Sequence, residues 1–242
     1  MYNFFVENNQ IENENVYIMG KDVNHITNVL RMTIGQKIFV CNNEKAESFL
    51  AEIIEIEKEI VKCKIIQKNN STELPVKVTL YQGLPKFDKM EYIIQKSVEL
   101  GVSKIVPVDM KYCVAKMKDD GKKITRWQAI SESAAKQSKR NLIPKVENII
   151  SFTKLCNEIS KYDCTIIAYE DEKKTSLKQI LKENKNCNNI AIIVGPEGGI
   201  STDEVKVLSE NGAKKATLGN RILRTETAPI AMLSMIAYEY EL

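Results

Sequence analysis

The sequence is poor in the residues from which most active sites are assembled. Of its 242 residues one is a histidine, His25, and one a tryptophan, Trp127. A single histidine, with no Cys or Asp cluster at ligand spacing, provides no zinc site, and a Ser-His-Asp triad would have to draw His25 across the chain. The six cysteines, Cys41, Cys63, Cys113, Cys156, Cys164 and Cys187, never fall as CxxC. No basic start leads into an apolar segment, so free thiols in a reducing cytoplasm are expected. No stretch approaches the roughly 18 apolar residues of a spanning helix, and no membrane contact is expected.

Phosphate-binding signatures are missing too. The glycine turn Gly195 to Gly199 reads GPEGG rather than GxGxxG, and no GxxxxGK[ST] occurs. Neither a dinucleotide nor a P-loop mechanism is supported, and a glutamate inside the turn would repel phosphates. A less anionic ligand is expected there. Arginine is also scarce: only Arg31, Arg126, Arg140, Arg221 and Arg224 stand among 35 basic residues. The planar guanidinium suits phosphate and carboxylate, which makes these five stronger site candidates than any lysine.

What is present is a chain with 43% hydrophobic residues, long enough for one sizeable core or two modest ones. Its formal charge of +3 is unevenly spread. Residues 1–72 carry 8 basic and 10 acidic side chains, a net −2, and residues 73–242 carry 27 and 22, a net +5. Lys111 to Lys145 holds 10 basic and 3 acidic residues, a local +7. That segment reads either as a polyanion footprint or as a lysine-rich solvated face. Trp127 within it either stacks a base or packs the segment down.

Up to residue 72 the rhythm is that of strands. MYNFFV and VYIMG are strand-like, the second ended by Gly20, and KIFVCN, SFLAEIIEIE and EIVKCKIIQK alternate apolar with polar residues, the mark of sheets with one face buried. A helix is expected from Asp22 through His25, Ile26, Val29 and Leu30, stopped by Gly35. The polar stretch Asn69 to Glu73 closes a β domain of residues 1–72. From Val76 strands and helices alternate: VKVTLYQG, a helix over Lys86 to Leu100, KIVPV, a helix over Ile124 to Lys139, CTIIAY, a helix near Ser176 to Lys182 and a last helix from about Glu226 to Tyr240. This predicts βαβ units and a parallel sheet over 73–242. In the last helix Ile230, Leu233 and Ala237 share an apolar side. Met232, Met235 and Ile236 are surplus apolar surface that either packs on a second chain or is covered within one.

The most informative stretch is Asn189 to Ala228. Ile190 to Val194 is a continuous apolar run, as in a strand buried on both faces, and the glycine turn follows at its carboxyl end, where α/β sheets hold ligands. Ser201 and Glu204 form a capping box for a helix over Thr202 to Asn211, and Gly212 ends it. LGNRILRTETA completes the stretch.

Five ordered blocks, HITNVLRMTIGQ, DKMEYIIQKSVELGVSKIVPV, RWQAISESAAKQSKRNLIP, IIVGPEGGIS and LGNRILRTETA, closely resemble the RsmE family of ribosomal RNA methyltransferases, which make N3-methyluridine in small-subunit (16S) rRNA. The likeness covers essentially the whole chain. It implies an α/β fold of the SPOUT class: a catalytic domain over 73–242 with a parallel sheet and a C-terminal trefoil knot, plus a small N-terminal PUA-like β-barrel domain over 1–72. Periodicity alone suggests an ordinary open sheet, since threaded chains are rare. The family often carries two adjacent histidines where this chain has Asn24 and His25.

The resemblance further implies S-adenosylmethionine as cofactor, a homodimer, and ribosomal RNA or the small subunit as partner. Carried over by position, Val194, Gly195, Pro196, Gly198 and Gly199 hold the cofactor together with Leu218, Gly219, Ile222, Leu223, Thr225 and Glu226. Arg224 is the first catalytic candidate and Glu197 the second, because uridine N3 must lose a proton and the resulting charge must be stabilised. Arg31, Arg126, Lys136, Lys139 and Arg140 are the expected RNA contacts, and Arg221 is read as a structural ion pair or a ligand contact. No metal is required. Two other readings remain open, a SPOUT methyltransferase acting on another rRNA or tRNA nucleotide, and an RNA-binding protein without activity.

Overall fold

Period-two alternation in the first third of the chain folds into a six-stranded sheet. The computed structural model describes residues 1–114 and 121–241. It divides into two units, Met1–Glu73 with Ala135–Ile143, and Leu74–Ala134 with Pro144–Leu242. Of the basic segment 111–145, residues Lys116, Lys118, Asp119 and Asp120 lie outside the described residues.

In the first unit, strands β1 (Asn3–Val6), β2 (Ile11–Glu12), β3 (Asn15–Met19), β4 (Lys37–Asn42), β5 (Glu47–Ile56) and β6 (Ile60–Lys68) are ordered β1-β4-β5-β6-β3-β2. Only β1 and β4 run parallel. Alternation turns Val16, Ile18, Ile38, Val40, Ala51, Ile53, Val61 and Cys63 to one face. Two register shifts between β5 and β6, at Leu50/Ala51 and Ile53/Glu55, bend the ribbon. The sheet curls into a half-barrel around these side chains together with Phe4, Val6, Val23 and Ile26.

The expected helix over 22–30 is shorter and wider than its spacing suggests. Helix α1 (Lys21–Asn24) starts after Gly20, whose φ of +71° reverses the chain, so Asp22 lies inside the helix and does not cap it. Asp22 is buried and pairs with Lys136 Nζ at 3.3 Å. From His25 to Val29 the turn is π-helical, which breaks the 3.6-residue period. Ile26 is therefore buried while Val29 is 63% exposed. His25 meets the ring of Phe4 edge-on, with centroids 6.1 Å apart.

Residues 135–143 join this unit through one carboxylate. Glu73 accepts from the backbone N–H of Asn141 at 2.9 Å and Leu142 at 3.1 Å, and pairs with the guanidinium of Arg140. Asn3 Nδ2 donates to the Arg140 carbonyl at 3.1 Å, and Thr72 Oγ1 to that of Lys139 at 3.1 Å. Arg140 is 3% exposed, so the expected backbone contact to RNA is corrected: its guanidinium holds Glu73 instead.

The second unit contains β7 (Lys77–Gly83), α2 (Lys89–Glu99), β8 (Lys104–Asp109), β9 (Lys145–Val146), β10 (Ile150–Ser151), β11 (Cys164–Ala168), β12 (Asn189–Val194) and β13 (Lys214–Ala216). All pairings are parallel, in the order β10-β8-β7-β12-β11-β13 with β9 beside β8. The helices are α3 (Lys122–Gln137), α4 (Phe152–Glu158), α5 (Leu177–Glu183), α6 (Thr202–Glu210) and α7 (Thr227–Tyr240). Helix α4 and strands β9 and β10 have too short a pattern to stand out in the sequence.

Strand β12 is central, and Ile190 to Val194 are all buried, as their unbroken apolar run requires. Helix α2 buries Met90, Ile93, Ile94, Ser97 and Val98, one face at helical spacing. The capping box forms: Ser201 N–H donates to Glu204 Oε2 at 3.1 Å, and Glu204 N–H to Ser201 Oγ at 3.4 Å. Trp127 is 4% exposed and packs inside, which leaves no face for a base. In α7 the expected surplus is smaller. Met232 and Ile236 join Leu233 in the interior, while Met235 and Tyr238 remain 40% and 72% exposed.

The Glu73 clasp predicts the effect of removing its cation. Arg140→Ala leaves a carboxylate largely buried without its counter-charge and is expected to cost about 3–5 kcal/mol. Urea unfolding measures this, and an unchanged midpoint would refute the clasp.

Candidate active site

Three neighbouring strands, β7, β12 and β11, end at the same edge of the parallel sheet with Gly83, Val194 and Ala168. The loops after β11, β12 and β13, with Lys89 at the start of α2, enclose a cleft of about 410 Å³. Its position outside the strand carboxyl ends is the one that open α/β sheets reserve for ligands. Its walls are Ala168 to Glu170, Val194 to Glu197, Gly199, Ile200 and the run Thr217 to Thr225, with Lys89, Lys173 and Ala228.

The turn after β12 is made possible by glycine. A β-carbon on Gly195 would lie 2.8 Å from the carbonyl carbon of Gly199 and 3.0 Å from the nitrogen of Ile200, contacts that only a shift of the backbone could relieve. Gly199 has φ +75°, and a β-carbon there would meet Glu170 Oε1 at 2.5 Å. Pro196 O accepts from Gly199 N–H at 2.9 Å and closes the turn. The backbone of the turn is thus left bare toward the cleft.

A buried node joins the two loops of the 189–228 stretch. Thr225 Oγ1 donates to the Gly195 carbonyl at 2.7 Å and accepts from Gln82 Nε2 at 3.0 Å. The same amide donates to the Gly83 carbonyl at 3.0 Å. Gln82 is fully buried and Thr225 is 6% exposed, so these bonds form away from water. They fix Arg224, whose carbonyl accepts from the N–H of Thr227 and Ala228 at 2.9 and 3.0 Å, at the start of α7.

Charge is organised around Lys89. Its ammonium lies 3.0 Å from Glu197 Oε1 and 3.2 Å from Glu226 Oε2. The hydrogen bond that its ammonium donates to Glu197 raises the lysine above its ordinary pKa, against desolvation. Burial pushes the Glu197 carboxyl up, but the Lys89 bond and the N–H of Lys86 outweigh it and leave a net lowering. Two bonds from Lys86 N–H, at 3.1 and 3.3 Å, add to this grip. A group with a lowered folded pKa lends its stability above the carboxylate range and loses it as pH falls through the folded value, so this bridge is complete at neutral pH. The Arg224 side chain is 82% exposed, with Nη1 4.0 Å from Glu226 Oε1. Among the described residues no group of three or more His, Cys, Asp or Glu side chains could hold a metal ion.

Most of the residues singled out in the sequence therefore line one cleft: Val194, Gly195, Pro196, Glu197, Gly199, Leu218, Gly219, Ile222, Leu223, Arg224 and Thr225. Gly198 does not line it; a β-carbon there would face Tyr112 Cβ at 2.9 Å. Glu226 acts behind it through Lys89. The expected RNA contacts scatter. Arg31 is exposed at φ +50° and Lys139 is exposed at φ +58°. Lys136 is engaged with Asp22, and Arg126 grips Glu91 with Nε–Oε1 at 2.8 Å and Nη2–Oε2 at 2.9 Å.

The RNA methyltransferase domain family matches residues 72–237, and the RNA methyltransferase PUA domain family matches 18–66. Ribosomal RNA small subunit methyltransferase E of Bacillus subtilis is 38% identical over 100% of this chain and 98% of its own length. The chain belongs to the ribosomal RNA small subunit methyltransferase E family. The Mesomycoplasma hyopneumoniae member is 35% identical over 97% of this chain and 98% of its own. The crystal structure of the Neisseria gonorrhoeae methyltransferase E, bound to S-adenosyl methionine, superposes with a TM-score of 0.85 at 32% identity, covering 99% of this chain and 98% of that one. The half-barrel is thus the PUA-like part of a methyltransferase E chain, and the parallel-sheet unit carries its RNA methyltransferase domain.

Among the residues of this methyltransferase E site that the sequence did not single out are Glu170 and Lys89, which line the cleft, and Gln82, buried beneath it. Glu170 follows CTIIAY, whose strand neighbours β12, and the carboxyl-end rule applied to that strand would have found it. Gln82 had a signal too, a lone amide at the end of an otherwise apolar buried strand. Lys89 had none, because its role depends on two acids more than a hundred residues away.

The buried node gives a stability test. Thr225→Val removes the 2.7 Å donor to the Gly195 carbonyl and the acceptor for Gln82 Nε2, which leaves those two groups only their long mutual bond of 3.4 Å, and is expected to cost about 1–3 kcal/mol. Thr225→Ser should keep most of the loss away, read as urea midpoints of the two variants against the parent.

Proposed function

We propose that this protein transfers a methyl group from S-adenosylmethionine to N3 of a uridine in small-subunit ribosomal RNA. The observation that carries the reading is the bare-backbone cleft at the ends of β7, β12 and β11, in a chain of the methyltransferase E family. Its volume of about 410 Å³ suits a ligand of nucleoside size. Glycine backbone and apolar side chains such as Leu218 and Leu223 would hold an adenine and ribose. The cofactor, when bound, supplies an electrophilic methyl group.

The residues of the chain then have separate tasks. Methylation at N3 would form an N–CH3 bond as the cofactor's S–CH3 bond breaks to leave a thioether, and the N3 proton would pass to solvent, so negative charge develops on the uracil carbonyls as that proton leaves. Arg224, exposed at the mouth and fixed by its backbone at the start of α7, is placed to stabilise that charge. Glu197 is a weak base because Lys89 and Lys86 hold it ionised below the ordinary carboxylate range. Its work is to anchor the glycine turn through Lys89.

Three finer points belong to the same reading. The bond between Thr225 and Gly195 brings the loops of the expected trefoil knot together. Met235 and Tyr238, exposed on α7, are apolar surface suited to a second copy of the chain in a homodimer. Among the described residues no helix is long and apolar enough to cross a membrane; the cytoplasm is proposed as the compartment because the proposed substrate, ribosomal RNA, is found there.

Arg224→Ala is expected to lose most turnover while binding S-adenosylmethionine with nearly parental affinity. Methyl incorporation and calorimetry check the two halves, and parental turnover would defeat the assignment. Mass-spectrometric mapping of rRNA from a strain lacking the gene, with and without its restoration, tests the N3-uridine product.

Exposed Arg31, Lys139 and Arg126 are the proposed phosphate contacts. Neutralising each should flatten the slope of log K against log salt by about 0.7–0.9 per contact. Binding measured across a salt series checks this, with a slope unchanged in the triple variant as the contrary result.

A further inference from the structure

Phe87 is the most exposed large hydrophobic side chain among the described residues, at 89%. It lies in the loop between β7 and α2 with φ +55°, in the left-handed region that glycine occupies freely and bulky residues avoid. The fold gains nothing from it, since the ring is bared to water and the backbone beneath it is strained. Such strain in a well-anchored loop points to use of the side chain itself.

The loop is held from both ends. Lys86 N–H donates to both oxygens of Glu197, at 3.1 and 3.3 Å, and Lys89, two residues beyond Phe87, pairs with the same carboxylate at 3.0 Å. Asp88 O accepts from Glu91 N–H at 3.0 Å and starts α2. Phe87 is therefore pinned between two contacts to the glycine turn, at the rim of the cleft that Lys89 and Glu197 line. Glu91, one turn along α2, carries the Arg126 guanidinium, 65% exposed, and Tyr92 beside it is 49% exposed.

We propose that Phe87 is a stacking platform for a base flanking the methylated uridine. The proposal rests on the reading of the cleft as a site of RNA methylation. The reacting base must enter the cleft to meet the methyl donor, which leaves a rim residue for its neighbour along the strand. A ring carried on an anchored backbone and bared to solvent offers its face to any base, and Arg126 adds a cation within the same stretch of surface for the adjoining phosphate. Because the backbone beneath it is already anchored, stacking needs to order only the two side-chain torsions of the ring.

The test compares Phe87→Ala, Phe87→Gly and Phe87→Trp with the parent, using S-adenosylmethionine labelled in its methyl group and small ribosomal subunits from a strain lacking the enzyme. Loss of one stacked base should lower kcat/KM for the subunit by about 5- to 150-fold in F87A and F87G, chiefly through KM, and F87W should retain the parental value. Calorimetric affinity for S-adenosylmethionine should be the same in all four. F87G should melt at or above the parental temperature, because glycine relieves the left-handed backbone, so its loss of activity cannot come from unfolding. Parental kcat/KM in F87A or F87G overturns the proposal. So does a loss that coincides with a smaller sedimenting species, which would make Phe87 a contact between copies of the chain. A parent protein that methylates no subunit overturns the underlying reading of the cleft, an outcome distinct from an active parent with equally active variants.

Discussion

The carbonyl oxygen of Gly195 is the point on which the catalytic unit depends. It is the first acceptor beyond the central strand β12, and Thr225 Oγ1 reaches it from a loop thirty residues later. Gln82 closes the arrangement from β7. In a water-free setting each of these bonds is costly to lose, because a buried partner left alone keeps its full desolvation penalty. The node thereby converts two glycine-containing loops, which alone would sample many conformations, into one shaped wall.

Around that node the charges are arranged in series. Glu197 and Glu226 face Lys89, and Arg224 stands farther out toward water. The single lysine offsets one of the two inner negative charges, and Arg224, 4.0 Å from Glu226, is the outermost cation toward whatever enters the mouth. An ion pair of this kind contributes more to holding two loops in register than to raw stability.

Much of this was legible in the residues. The unbroken apolar run Ile190 to Val194 marked a central parallel strand, and its glycine turn marked the ligand edge. Period-two alternation gave three of the strands of the half-barrel, and short apolar runs gave two more. The five sequence blocks led to the family, and with it to both loops of the cleft. What stayed hidden required tertiary contacts. Nothing local distinguishes Arg140, buried on Glu73, from Arg126, exposed beside Glu91; both are arginines in the same basic segment. The π-helical turn at His25 to Val29 defeated the 3.6-residue count, and Lys89 gained its importance only when distant acids folded onto it.

The clasp formed by Glu73 and residues 135–143 makes the half-barrel discontinuous in sequence. On a ribosome, its six strands emerge long before the segment that satisfies Glu73. At about 5–20 residues per second, the seventy residues between Glu73 and Ile143 take roughly 4–14 s to appear. For that interval the nascent β unit holds an unsatisfied carboxylate and waits for a helix end that belongs to the next part of the chain. The two halves are thus tied by order of synthesis as well as by covalent linkage, and the N-terminal unit is not a bead that can be moved alone to another protein.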